Sequence, residues 1–123
     1  LGRGFLTGRL TSTEELAPDD FRRAAFPRLA AENLQQNKAI VDRITAVATE
    51  KGVTPGQIAL AWTIAQGTTP IPGTRRLKYL EENAAATDIT LSAADLKALD
   101  QAAPVGAAAG NRYADAGMAS LNH

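Results

Sequence analysis

Apolar residues return at helical spacing along two stretches of the chain. From about Ala31 to Lys51, the side chains Leu34, Ile40, Val41, Ile44, Val47 and Ala48 form one stripe, which predicts a helix with a single core-facing side. Gly52 follows in the position where left-handed backbone ends a helix. A second helix is predicted from Thr54, where Thr-Pro-Gly-Gln supplies an N-cap, a proline at the first helical position and a capping-box glutamine. Ile58, Leu60, Ala61, Trp62, Ile64 and Ala65 leave this helix almost no polar face, so it is expected to be buried on more than one side until Gly67 stops it, with Trp62 in the core.

The remaining pattern is more broken. Residues 1–30 are punctuated by Gly2, Gly4, Gly8, Pro18 and Pro27 and read as a long loop, with one short helical turn where Ser12 and Glu15 have capping-box spacing. Thr68-Thr-Pro-Ile-Pro-Gly predicts a brief strand near 69–72 that runs into a turn. Leu77, Leu80 and Ala84 share one face of a helix from about Arg75 to Ala86. A last helix starts at Ser92 with Asp95 at its third position, flanked by Leu91 and Leu96 at staple spacing, and Pro104 ends it. Residues 105–123 are Gly/Ala-rich and predicted irregular.

One short strand among helices cannot satisfy the backbone donors and acceptors on both its edges. Helix, strand, tight loop, helix is one unit of an α/β protein with a parallel sheet, whose other strands must come from sequence outside these 123 residues. The alternative is an all-helical bundle in which TPIPG is only a loop.

Composition narrows the function. The chain is 45% hydrophobic and 21% charged, the balance of a globular domain. Lys+Arg and Asp+Glu are 13 each, so no summed field favours nucleic acid or an anionic membrane, and any anion site must be local. No apolar run approaches the roughly 18 residues of a membrane helix. With no cysteine, and one histidine at position 123, disulfides, thiolate metal sites and His-paired nucleophiles are disfavoured. The carboxylates Glu14, Glu15, Asp19 and Asp20 read as a solvated acidic turn rather than a metal site. The chain opens Leu-Gly-Arg-Gly without initiator methionine or signal pattern, so it is expected to start mid-protein and to be cytoplasmic.

Ile71-Pro-Gly-Thr-Arg-Arg brings together a strand end, a glycine, a hydroxyl, two guanidiniums and a helix start, each of which favours an anion; the bland reading is a solvated turn. Glu82 and Asn83, farther along that helix, carry groups able to hydrogen-bond an adenine edge or ribose, or are an ordinary surface pair. The opening LGRGFLTGR offers glycines for close backbone approach and Arg3 and Arg9 for a pyrophosphate, although it is neither a GxGxxG nor a P-loop pattern. Phe21-Arg22-Arg23 is a further basic pair. Tyr79 and Tyr113 have no neighbouring set that would make either an obvious acid or base. A competing reading takes Thr54 to Arg76 as a DNA-binding helix-turn-helix, against which stand the zero net charge and the prolines and glycine where a recognition helix should begin.

LGRGFLTGR, TPGQIALAW, PIPGTRRLKYLEEN and NRYADAGMASLN, in this order and spacing, closely resemble the C-terminal part of bacterial NADP-dependent aldo-keto reductases across essentially the whole chain. The resemblance implies the C-terminal portion of a (β/α)8 TIM barrel, from the loop after strand seven through helix seven, strand eight, helix eight and the C-terminal tail. It divides the chain into a cofactor-side loop at 1–30, helices and the last strand at 31–104, and a tail at 105–123. It implies NADPH as cofactor and an aldehyde or ketone as small-molecule substrate, with the N-terminal barrel half supplied by the same or another chain. By resemblance Leu1, Gly2 and Gly4 contact the dinucleotide through backbone, and Arg9 reaches the pyrophosphate. Gly73, Thr74 and Arg76 then form the 2′-phosphate pocket, while Tyr79, Glu82 and Asn83 flank and hydrogen-bond the adenine. Arg22 or Arg23 would close over the cofactor, and Asn111, Arg112, Tyr113 and Met118 would line the substrate wall. The family's catalytic Asp, Tyr, Lys and His match no position here, so the segment alone is expected to be inactive. A non-catalytic NADP-binding regulatory subunit of the same fold is the alternative.

Overall fold

The long central helix forms where its apolar stripe lies. In the computed structural model, which describes residues 1–121, it runs Ala31–Lys51 and ends at Gly52 in left-handed backbone. The helices in chain order are α1 (Arg22–Ala25), α2 (Ala31–Lys51), α3 (Pro55–Ala65), α4 (Leu77–Ala85), α5 (Ala93–Ala102) and α6 (Asp115–Met118), with 3-10 turns at Gly2–Thr7, Thr13–Glu15, Pro27–Leu29 and Ala86–Asp88.

The two capping boxes read from sequence are formed. The Thr54 hydroxyl accepts from the Gln57 amide at 3.2 Å while the Gln57 side chain accepts from the Thr54 amide at 3.0 Å. Ser92 and Asp95 repeat the exchange at the start of α5. The Ser12–Glu15 box is not formed: Ser12 Oγ accepts from the Glu14 amide, and the Glu15 carboxylate turns back to the amide and hydroxyl of Thr11.

α2 packs on α3 and α5, and Ile44, Ala48, Ile58 and Leu99 form the core between them, with Ile58 wholly buried. A second cluster, Leu10, Leu16, Phe26, Leu29 and Leu34, roots the 1–30 segment on the start of α2. The long loop is therefore packed. Lys51 joins α2 to the N-cap of α5 by an ion pair with Asp95 at 2.7 Å.

Three expectations are corrected. The strand near 69–72 is not formed, and no strand occurs among the described residues. The segment is an extended connector with Ile71 94% exposed, because a strand exists only through bonds to neighbouring strands and none is present to make them. Leu77 and Leu80, expected to be packed, are 69% and 55% exposed for the same reason: nothing covers that face of α4. The tail is not wholly irregular, since it contains α6 and is fastened by the buried amide of Asn37. Asn37 Oδ1 accepts from the Ala109 amide at 2.7 Å, and its Nδ2 donates to the carbonyls of Ala109 and Arg28 at 3.0 and 3.2 Å. Gly110 then passes so close to residues 27–33 that a Cβ would lie 2.7 Å from Asn33 Nδ2.

Replacing Asn37 by Ala strands the polar groups of Ala109. The expected outcome is about 2 kcal/mol of destabilisation in chemical denaturation, with faster hydrogen exchange at the Ala109 amide. Asp95 provides a pH test. Lys51 and Ser92 hold its carboxyl at about 2, below the ordinary carboxylate value. A folded-state value below the unfolded one means that its contribution is complete above about pH 4 and is lost as pH falls toward 2. In acid titrations of stability the Asp95→Asn chain should show a flatter decline over that interval than the unsubstituted chain.

Candidate functional site

The first residues form a turn that few sequences permit. Gly2, Arg3 and Gly4 all have left-handed backbone, with φ of 57°, 59° and 95°. The turn is held by the Gly4 and Leu6 amides donating to the Leu1 carbonyl and by Thr7 Oγ1 donating to the Gly4 carbonyl. It sits against α3 and α2 and forms one rim of a cavity of about 780 Å³.

The floor of that cavity is apolar and comes from the helices: Ile40, Ile44, Ile58, Leu60, Trp62 and Leu99. The rim is polar. Leu1, Arg3, Gly4, Thr7 and Arg9 contribute from the N-terminal turn, and Gly73, Thr74, Tyr79, Glu82 and Asn83 from the connector and α4. Residues about seventy positions apart thus meet across one opening. Of the cofactor contacts Leu1, Gly2, Gly4, Arg9, Gly73, Thr74, Arg76, Tyr79, Glu82 and Asn83, Gly2 and Arg76 do not line the cavity; Gly2 shapes the turn, and Arg76 stands beside Tyr79.

The centre of the rim is the Tyr79 ring. The Arg9 guanidinium lies 4.3 Å from its centroid and that of Arg76 5.9 Å. The Arg9 guanidinium beside the phenol, and then Arg76, hold its pKa below the usual phenol value. Ion pairs among the described residues join Arg22 to Asp20, Lys38 to Asp42 and Lys51 to Asp95, so neither Arg9 nor Arg76 is neutralised by a carboxylate there. Two guanidiniums outside any ion pair, close to one aromatic ring, fit an anion with an aromatic part.

Thr74 arranges the approach to α4, its hydroxyl accepting from the Arg76 amide at 3.2 Å. At Gly73 nothing lies within 4 Å of where a Cβ would project, so the chain's own packing gives no reason for glycine there. Glu82 is less free than a surface pair would be. Its Oε1 accepts from the Thr54 hydroxyl at 3.0 Å, and its carbonyl accepts from Gln57 Nε2 at 2.9 Å, which ties α4 to the capped start of α3.

Other expectations fare differently. Arg22 reaches the N-terminal turn, donating to the Arg3 carbonyl at 3.2 Å while Asp20 holds its guanidinium at 2.6 Å, but it does not line the cavity. Arg23 points elsewhere, donating to the Leu16 carbonyl. Asn111, Arg112, Tyr113 and Met118 are absent from the lining, because the bonds from Asn37 hold the tail against residues 25–33. His123 lies outside the described residues. Trp62 is not simply core: it lines the cavity and donates its indole N–H to Asp100 at 3.0 Å. Thr54 to Arg76 is no helix-turn-helix, since the whole segment 66–76 separates α3 from α4 where that motif has a tight turn. No helix among the described residues is long and apolar enough to cross a membrane.

The part played by Trp62 and Ile40 was missed in the sequence, because an apolar residue on a helix gives no local sign of whether it meets core or cavity. Arg3 did carry a signal, a bulky residue between two glycines.

Comparison with known proteins gives the following relatives. Residues 1–104 match the family model described as the aldo/keto reductase family. Aldo-keto reductase yakc of Schizosaccharomyces pombe, whose name specifies NADP(+), is 47% identical over 115 residues, covering 92% of this chain and 34% of the relative. Probable aldo-keto reductase 1 of Glycine max is 44% identical over 115 residues, covering 92% of this chain and 33% of the relative. Aldo-keto reductase str7 of Strobilurus tenacellus is 39% identical over 119 residues, covering 95% and 35%. The chain thus spans about a third of the length of the curated relatives it matches. These relatives are fungal and plant proteins, so they lend no support to the bacterial character expected from the resemblance.

The charge arrangement is directly testable. In a Tyr113→Phe background, where Tyr79 is the only phenol, Arg9→Ala should move the spectrophotometric titration of Tyr79 upward toward the ordinary value of about 10. An unmoved midpoint would show that Arg9 does not face the ring in solution.

Proposed function

This chain belongs to the aldo/keto reductase family, and on that premise we propose that it is the part of an NADPH-dependent carbonyl reductase that holds the adenosine 2′-phosphate end of the cofactor. The observation that carries the reading is the pair of guanidiniums outside any ion pair, Arg9 and Arg76, close to the Tyr79 ring at the mouth of the cavity.

Each rim residue then has a role suited to its chemistry. Arg76 and the Thr74 hydroxyl take the 2′-phosphate, and Gly73 lets it approach the backbone. Tyr79 packs against the adenine. Glu82, with Oε1 committed to Thr54, keeps Oε2 for the adenine amino group, and Asn83 offers an amide beside it. Leu1, Gly2 and Gly4 present backbone to the dinucleotide, and Arg9 faces the pyrophosphate. When bound, NADPH supplies the hydride that reduces the carbonyl carbon of an aldehyde or ketone. This chain binds and orients, and none of its residues is assigned the transfer of a proton.

The family's fold is the (β/α)8 barrel. In our reading the chain is its last portion, beginning in the loop after strand seven, with α2 as helix seven and α4 as helix eight. The extended connector between α3 and α4 takes the place of strand eight, and its missing partners are strands of the rest of the barrel. The connector's lack of strand partners among the described residues and the exposed Ile71 support this placement.

The 2′-phosphate assignment predicts discrimination between cofactors. Trp62, the sole tryptophan, lines the cavity and reports binding by fluorescence. Arg76→Ala should weaken NADPH about tenfold or more, the cost of a charged hydrogen bond, and leave NADH within about twofold. Equal losses for the two nucleotides would refute the assignment.

A further inference from the structure

The tail reaches the cavity at second hand, through Arg3. This is the only residue other than glycine with positive φ among the described residues. Left-handed backbone is disfavoured for any side chain bearing a Cβ, and a third consecutive glycine would adopt it freely, so the side chain must supply the reason for arginine. Its guanidinium carbon lies 3.7 Å from the centroid of the buried Phe26 ring and 4.9 Å from that of Tyr113. Those two rings are themselves 5.9 Å apart. The Arg3 carbonyl accepts from Arg22, which Asp20 fixes from the other side. Tyr113 is tethered in turn: the next amide, Ala114, donates to the Ala25 carbonyl at 3.2 Å, and Ala109 is held by Asn37. An unbroken chain of contacts therefore runs from the tail through one guanidinium to the turn that forms the rim.

We propose that Arg3 is a positioning residue through which Tyr113 fixes the shape of the N-terminal rim, so that release of the tail weakens binding in the cavity although none of its described residues lines it. As regards the ligand, this rests on the NADPH reading above. The coupling itself does not, because the contacts exist in the ligand-free chain.

Two measurements decide it. The first is a double-mutant cycle on NADPH affinity, read by Trp62 fluorescence. Arg3→Gly, which keeps the turn and removes the stack, and Tyr113→Ala should each weaken binding about three- to tenfold, and the double variant should be little weaker than either. Tyr113→Phe keeps the ring and should bind like the unsubstituted chain. A silent Tyr113→Ala, or losses that add, would make Arg3 a direct phosphate ligand and overturn the proposal. The second measurement is amide hydrogen exchange without ligand. Tyr113→Ala should quicken exchange in residues 4–8, and Arg3→Gly should quicken it in residues 113–118. Unchanged exchange in either direction also overturns the proposal. If the unsubstituted chain takes up no NADPH, the cofactor reading falls, and reciprocal exchange alone decides the role of Arg3.

Discussion

Ile58, Leu60, Ala61, Trp62 and Ile64 leave α3 without a polar face, so this helix has to be covered on more than one side, and the surrounding elements are placed by that requirement. α2 and α5 cover one flank, where Ile44, Ala48 and Leu99 close over Ile58. Leu60 and Trp62 face the cavity, over which the N-terminal turn and α4 form a rim. The capped start of α3 fixes where that rim lies. Thr54 and Gln57 bond each other and also bond Glu82, so the devices that begin one helix hold the next in place.

Net charge and local charge differ sharply. The chain sums to zero, and three of its carboxylates are held in ion pairs away from the cavity, Asp20 on Arg22, Asp42 on Lys38 and Asp95 on Lys51, while Glu82, bonded to the Thr54 hydroxyl, stays on the rim. Asp20 shows the strength of one such commitment, its carboxyl held at about 2 by Arg22. Around Tyr79 stand Arg9 and Arg76, neither of them in an ion pair, with the Glu82 carboxylate on the same rim.

The tail illustrates a division between touching a site and shaping it. Its described residues do not line the cavity, but Asn37 and Ala114 fasten it to α2 and Ala25, and Tyr113 stacks on Arg3 of the turn at residues 2–4. Arg3 links the two because a guanidinium can lie on an aromatic face while its own carbonyl accepts a bond from a second arginine. The same chain of contacts makes the opening loop packed rather than free, with Phe26 at the junction of tail, turn and core.

By itself the sequence determined what depends on residues three or four positions apart. The stripe of α2, its stop at Gly52 and the capping boxes of α3 and α5 were legible because caps and helical faces are local. The expected strand was not made, since no neighbouring strand among the described residues bonds it, and the Ser12–Glu15 box was left half-closed because the Glu15 carboxylate bonds Thr11 instead. Only the tertiary structure decided that Arg9 meets the ring of Tyr79, that Glu82 reaches Thr54, and that Asn37 is buried against the tail. Each of these joins groups far apart in the chain, where no periodicity or spacing carries information, and each is fixed by which surfaces the apolar faces of α2 and α3 bring together.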